Sequence, residues 1–300
     1  MRKVAVIIIL IVSGLALPVY AIAGRNIYRH HVTTVQATTL SYDATTTPVR
    51  VAAASDNLFD PSVSAYAIDT TTMTPLYAQN ETTHRAIASI TKLMTMIIVL
   101  ADHKTSNSVT VGQLPAYQPA DETLGLTKGQ VFTVGALAKA ALIPSDNDAA
   151  DALAIYDAGS QKAFIAKMNA ELVQWGITGA HFNSTEGLTD SDNYASAVAL
   201  AKIGKLALTN PTIAADVRLA SATISDASGQ SYNLVTSDDL LATGQFYGIK
   251  TGYTDAAGEC FIGLAHVNGH DVITVVLHSS DRFGDTLRLL NWIQGAWQWQ

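Results

Sequence analysis

The chain holds a single cysteine, Cys260, among its 300 residues, which excludes an internal disulfide. With no second thiol to pair or chelate with, that residue reads as a small buried hydrophobe rather than a metal ligand. Charge is scarce, at 14% of residues, and its balance is acidic, with a net charge of −7 and a pI near 5.5. This composition speaks against nucleic acid or an anionic membrane surface as a main partner. Several catalytic signatures are missing: no G-x-S-x-G elbow, no H-E-x-x-H and no C-x-x-C. The eight histidines are scattered, and His266, His270 and His278 are not spaced like a ligand pair, so no metal and no organic cofactor is implied. A Ser-His-Asp triad leaves no reliable spacing in sequence, and nothing here points to one. No internal repeat is visible. Apolar residues, in contrast, reach 48%, enough for a sizeable core in one large domain or two small ones.

The N-terminus reads as an export signal. Arg2 and Lys3 precede an apolar run over residues 4–23, and Ala21-Ile22-Ala23 fits a small-x-small cleavage site. The run is also close to the ~20 residues a membrane span needs, so a cleaved signal and a retained anchor are both expected forms. Residues 24–61, rich in threonine and alanine, read as a linker, with the folded part beginning at Ser62.

Beyond it, residues 64–68 and 75–78 read as short strands. Residues 89–100 are apolar nearly all round, which predicts a buried helix with Ser89 at its N-terminus. Helices are expected over 134–142, 148–156, 161–175 and 196–208. The last third turns strand-like over 247–251, 260–266 and 272–278, with Asn268-Gly269 as a hairpin turn, and a helix over 282–294 closes the chain. Strands at both ends with helices between them predict an α+β fold: an antiparallel sheet with a mostly helical block inserted.

Three short motifs stand in order: Ser89-Ile90-Thr91-Lys92, Ser145-Asp146-Asn147 and Lys250-Thr251-Gly252, their first residues 56 and then 105 positions apart. Each alone is weak; the ordered set is the S-x-x-K, S-x-N, K-T-G pattern of serine acyl enzymes that react with penicillin. On a helix, positions i and i+3 share a face, so Lys92 reaches the Ser89 hydroxyl, and apolar surroundings disfavour its ammonium form. The bland alternative, a capping serine and a solvated lysine, leaves unexplained how a lysine among Ile, Leu and Met is solvated. Ser145-Asp146-Asn147 suits proton relay and amide binding, but Ser, Asp and Asn also cap helices, and Asp148 is itself a candidate cap. Lys250-Thr251 at a strand end offers a carboxylate site, with Gly252 admitting close approach. An ordinary exposed strand end has the same look.

At these residues the chain resembles the D-alanyl-D-alanine carboxypeptidases, the low-molecular-mass penicillin-binding proteins. The likeness extends over residues 85–95, 145–150, His181-Phe182-Asn183 with Gly187-Leu188, and 247–254, which Ala257-Gly258 with Cys260 continues, and covers about residues 62–294. It implies a β-lactamase/transpeptidase-like fold: an antiparallel sheet flanked by helices, plus an all-helical lobe. It implies that Ser89 attacks the bond between two D-alanines of a peptidoglycan stem peptide, with Lys92 taking the serine proton. Ser145 and Lys250 would protonate the leaving amine, Asn147 would hold the substrate amide and Thr251 the terminal carboxylate. The N–H groups of Ser89 and Tyr253 would form the oxyanion hole, and Arg282 would lie near the carboxylate. β-Lactams are the implied covalent inhibitors, and the extracytoplasmic face of the plasma membrane, or the exterior, is the implied place of work. About 48 residues follow Gly252, room for neither the family's usual β-rich second domain nor its C-terminal anchor, so membrane attachment is expected only through the N-terminal segment. Asp146 and Glu259 depart from the common pattern, and Glu259 is expected to disfavour an anionic substrate. Two other functions fit the same motifs. A β-lactamase needs a further base such as Glu171 or Glu186, though neither has the expected neighbours. A non-catalytic module would bind D-Ala-D-Ala or β-lactams without turnover.

Overall fold

The computed structural model describes residues 46–51, 55–188 and 191–300. The expected export segment, and the expected linker up to residue 45, lie outside the described residues. Five antiparallel strands form the central sheet: β1 (Ser64–Asp69), β2 (Pro75–Gln79), β3 (Phe246–Thr254), β4 (Gly258–Val267) and β5 (His270–Ser279). Their spatial order is β3-β4-β5-β1-β2, so the N-terminal hairpin supplies one edge and β3 the other, as the sequence pattern predicts. Asn268 and Gly269, both at positive φ (51° and 89°), close the β4–β5 hairpin. This is the backbone of a type I′ turn, whose twist matches the flanking strands.

The inner strands are buried on both faces, and the period of two sorts their side chains. Ala65, Ala67, Phe261, Ala265, Val272 and Val276 pack with Leu289, Leu290 and Ile293. Tyr66, Ile68, Ile262, Leu264, Ile273 and Val275 pack with the helical side of the molecule. That side comprises α1 (Thr91–Asp102), α2 (Val134–Leu142), α3 (Asn147–Ala158), α4 (Gln161–Gln174), α5 (Ala197–Thr209) and the short α6 (Pro211–Asp216); α7 (Arg282–Ala296) covers the other face. Residues 91–99 of α1 are all buried, as expected of a helix that is apolar all round. Thr133, Ser160 and Ser196 cap α2, α4 and α5 through their side-chain oxygens.

The domain starts earlier than its composition implies. Pro48–Arg50, read as linker, pairs with Trp297–Trp299, and Phe59 is buried beneath α7. A Thr/Ala-rich stretch has no hydrophobic period of its own, so pairing with a distant strand leaves no local signal. Among the described residues, no helix is long and apolar enough to cross a membrane.

Candidate active site

The chain reaches Ser89 through a strained corner. Ala88 has φ of +47°, and Ser89 occupies a single 3₁₀ turn, Ala88–Ile90, that runs directly into α1. Two glycines from other segments press against this corner. A Cβ on Gly252 would come 2.8 Å from the carbonyl oxygen of Ile87, and one on Gly187 would overlap the Ala88 carbonyl. Gly187 is at φ +102°, a region L side chains avoid. The Gly252 of the third motif and the Gly187 of the segment before α5 are thus packing requirements of the Ser89 turn.

One helical turn on, Lys92 is fully buried. Its Nζ donates to Ser89 Oγ at 2.7 Å, to Asn147 Oδ1 at 2.6 Å and to the Glu186 carbonyl at 2.8 Å. Burial pushes its pKa down to about 8, against the pull of Glu186, Glu122, Asp151 and Asp146. A lysine so placed has a substantial neutral fraction near neutral pH and can accept the Ser89 proton. Glu186 serves through its backbone; its carboxylate instead accepts from Thr185 N and Oγ1 at 3.1 and 3.0 Å.

Ser145 is buried with φ of +79°, an unusual backbone for a non-glycine residue. Its Oγ has no protein partner, and neither has Asn147 Nδ2, although both are buried. Asp148, a candidate cap by sequence, does not cap α3. Its carboxylate accepts the N–H groups of Leu124, Gly125 and Leu126 at 2.9, 2.9 and 2.8 Å. It therefore spends its charge on a loop, and α3 begins at Asn147 with no side-chain cap.

Lys250 is buried on edge strand β3, and its Nζ donates to the Thr251 carbonyl at 3.2 Å. Burial, then the Lys92 charge, pushes its pKa well below the usual lysine value. Thr251 Oγ1 lies 2.6 Å from Ser237 Oγ, a hydroxyl pair that the sequence did not reveal because Ser237 belongs to no motif. Arg282 Nη1 donates to the Gly252 carbonyl at 3.5 Å and its buried Nε has no protein partner, so the residue does reach the third motif. The Glu259 carboxylate accepts the Arg282 N–H at 2.9 Å and so anchors the start of α7 beside the third motif. The Tyr253 side chain is 59% exposed, which leaves its place on the edge strand as its relevant feature. An edge strand presents alternate backbone groups away from its neighbour.

Lys92 thus touches both Ser89 and Asn147 and joins the first motif to the second. Lys250 is near enough to feel the Lys92 charge, Thr251 follows it on β3, and Arg282, at the start of α7, reaches the Gly252 carbonyl of that strand. Among the described residues, the buried side-chain atoms without a protein partner are Asp216 Oδ2, on the carboxylate that binds Lys139, and five nearer the motifs, Ser145 Oγ, Asp146 Oδ2, Asn147 Nδ2, Asp238 Oδ2 and Arg282 Nε. An unmet buried polar group costs about 1–3 kcal/mol, so their concentration around the three motifs marks a place built for a polar substrate. No cluster of metal-ligating side chains occurs among the described residues.

The chain is similar to known proteins over most of its length. A model of the D-alanyl-D-alanine carboxypeptidase family matches residues 52–281. The chain is 30% identical over 226 residues to the D-alanyl-D-alanine carboxypeptidase DacF of Bacillus subtilis, covering 72% of this chain but 57% of that protein. It is 31% identical over 252 residues to the D-alanyl-D-alanine carboxypeptidase of Streptomyces sp. strain K15, covering 77% of this chain and 86% of that one. Penicillin-binding protein D2 of Listeria monocytogenes, solved in an ampicillin-bound form, superposes with a TM-score of 0.68 at 28% identity, covering 78% of this chain and 98% of that chain. The fold is the α+β fold of the penicillin-binding DD-peptidases, and the chain belongs to the D-alanyl-D-alanine carboxypeptidase family of serine hydrolases.

Proposed function

We propose that this protein removes the terminal D-alanine from peptidoglycan stem peptides through an acyl-enzyme on Ser89. The observation that carries the reading is the position of Lys92, buried and within hydrogen-bond distance of both Ser89 Oγ and Asn147 Oδ1. In the neutral form, Lys92 takes the serine proton as Oγ attacks the carbonyl carbon of the penultimate D-alanine. The backbone N–H groups of Ser89 and Tyr253 stabilise the oxyanion that forms. Ser145, with Lys250 behind it, delivers a proton to the amide nitrogen and is resupplied with the proton that Lys92 took from Ser89, which leaves Lys92 neutral; the C–N bond breaks and D-alanine leaves. Water then attacks the ester, and its proton passes back through Lys92 as Ser89 is released. The Asn147 amide holds the donor-side peptide, while Thr251, paired with Ser237, and Arg282 receive the terminal carboxylate. β-Lactams act as substrates that stop at the ester. Ampicillin binding by the Listeria relative supports this. The basic-then-apolar start of the sequence supports work outside the cytoplasmic membrane, with the N-terminal segment as signal or anchor.

The test is the intact mass of the purified protein after addition of benzylpenicillin, beside Ser89→Ala. A persistent adduct on the wild type alone, together with release of D-alanine from a D-Ala-D-Ala peptide, is the expected result. Rapid consumption of penicillin without an adduct would instead identify a β-lactamase. An intact drug and no adduct would leave a binding module.

A further inference from the structure

Residues 112–126 carry the chain from the short pair of strands Ser108–Thr110 and Val131–Thr133 past the second motif without regular structure. This loop is fastened on both sides of Glu122. The Tyr117 hydroxyl bonds the Asp151 carboxylate, and the N–H groups of residues 124–126 converge on the Asp148 carboxylate. Between these anchors, the Glu122 carbonyl accepts the Asn147 N–H at 2.8 Å. The loop backbone is therefore fixed beside the very residue whose side chain touches Lys92. The Glu122 side chain is exposed. Its charge is felt at both buried lysines, raising the affinity of each for its proton. Asp146, the acidic residue of the second motif, is buried, whereas Glu122 is exposed and open to a large substrate.

We propose that Glu122 is a specificity-determining residue that receives an ammonium group carried by the donor side of the stem peptide, so that the enzyme prefers cationic peptides ending in D-Ala-D-Ala. The inference rests on the carboxypeptidase reading above. Asn147 lies on the donor side of the scissile bond in that reading, opposite the Thr251 and Arg282 end that takes the leaving D-alanine. Lys92, Lys250 and Arg282 otherwise make the site repel a cation. A carboxylate on the Asn147 side, carried by a backbone that is already held, reverses that locally.

The experiment compares Nα-acetyl-L-lysyl-D-alanyl-D-alanine, with a free ammonium, and its Nα,Nε-diacetyl counterpart, by release of D-alanine. The wild type is expected to favour the ammonium peptide roughly fivefold in kcat/KM, the upper range for one exposed ion pair, with the difference in KM and weakened by salt. Glu122→Gln is expected to bring the ratio to about one, and Glu122→Lys to invert it. Glu171→Gln, on α4, should keep the wild-type ratio. An unchanged ratio in Glu122→Gln overturns the assignment. So does an equal loss of kcat for both peptides, which would make Glu122 a counter-ion of the lysines. If neither peptide releases D-alanine, the carboxypeptidase reading fails on its own. The two peptides are then compared as competitors of benzylpenicillin acylation, where equal competition by both likewise overturns the role of Glu122.

Discussion

Lys92 Nζ and Asn147 Oδ1 stand 2.6 Å apart, across 55 residues of sequence, and this bond joins the first motif to the second inside the helical side of the fold. Since Nζ also reaches Ser89 Oγ and the Glu186 carbonyl, an ammonium there uses all three of its protons. On deprotonation one of these contacts must reverse, and the Ser89 hydroxyl is the partner able to donate.

The rate of acylation should therefore follow the neutral fraction of Lys92. With its pKa pushed down to about 8 by burial, the rate constant for benzylpenicillin should rise nearly tenfold per pH unit below that value and level off above it. Lys92→Gln should cost roughly 10²–10⁴-fold in this rate without unfolding the protein, since it removes a buried charge. Stopped-flow acylation between pH 6 and 9.5 measures it. A flat profile would show that Lys92 is not the base.

Gly187 offers a test of the Ser89 turn from outside the motifs. Its φ is positive, and a methyl group on its Cα would overlap the Ala88 carbonyl. Gly187→Ala must therefore displace the corner holding the nucleophile. A loss of about 2 kcal/mol or more is expected, with acylation impaired beyond what the fraction folded explains. Thermal melts beside penicillin acylation separate the two effects. Gly295→Ala, where an added Cβ meets nothing within 4 Å, should do neither.

Much of this site is legible in the sequence because its chemistry is local. Ser89 and Lys92 are three positions apart, and a lysine beside a run such as 93–100 has no solvent to reach. The strands and helices are legible for the same reason: hydrophobic period and turn residues such as Asn268-Gly269 act at short range. What escapes depends on distant segments meeting. Ser237 acquires meaning only beside Thr251, Glu259 only beside Arg282, and Pro48–Arg50 only beside Trp297–Trp299. Asp148 departs from expectation because an aspartate at a helix start normally caps it, while here three loop amides compete for the same carboxylate.

That competition makes Asp148 the anchor of the loop over the second motif. Asp148→Ala would leave three N–H groups without their acceptor, and the loss of charge-assisted bonds predicts destabilisation of about 3 kcal/mol or more. Asp148→Asn keeps one acceptor oxygen and should recover part of it. Hydrogen exchange at Leu124, Gly125 and Leu126 should accelerate in both variants, most in the alanine form. If these amides exchange at the wild-type rate, the carboxylate is not what holds the loop.

The buried carboxyl groups give stability a direction with pH. Burial, reinforced by Glu186, pushes Asp151 up to about 7; burial and the Asp148 charge push Asp146 to about 7; burial pushes Asp238 to about 6. Each folded-state pKa lies above the unfolded value near 3.9, so the folded protein binds more protons than the unfolded chain between about pH 4 and 7. Stability must therefore fall as pH rises through that window. The two lysines, lowered by burial, act elsewhere: with Lys92 at about 8, its linkage makes stability rise with pH between about 8 and 10.4. Carboxyls held low, such as Asp69, where burial is outweighed by hydrogen bonds from Thr72, Trp299 and Thr71, contribute only below about pH 4. The thermal midpoint should thus be higher at pH 5 than at pH 7.5, by roughly 5 °C or more. Asp151→Asn should flatten the dependence. Because the Asp151 charge also supports the Lys92 ammonium, the same variant should move the acylation profile to lower pH. A midpoint that rises from pH 5 to 7.5 would mean that these carboxyls are ionised and compensated in the folded state.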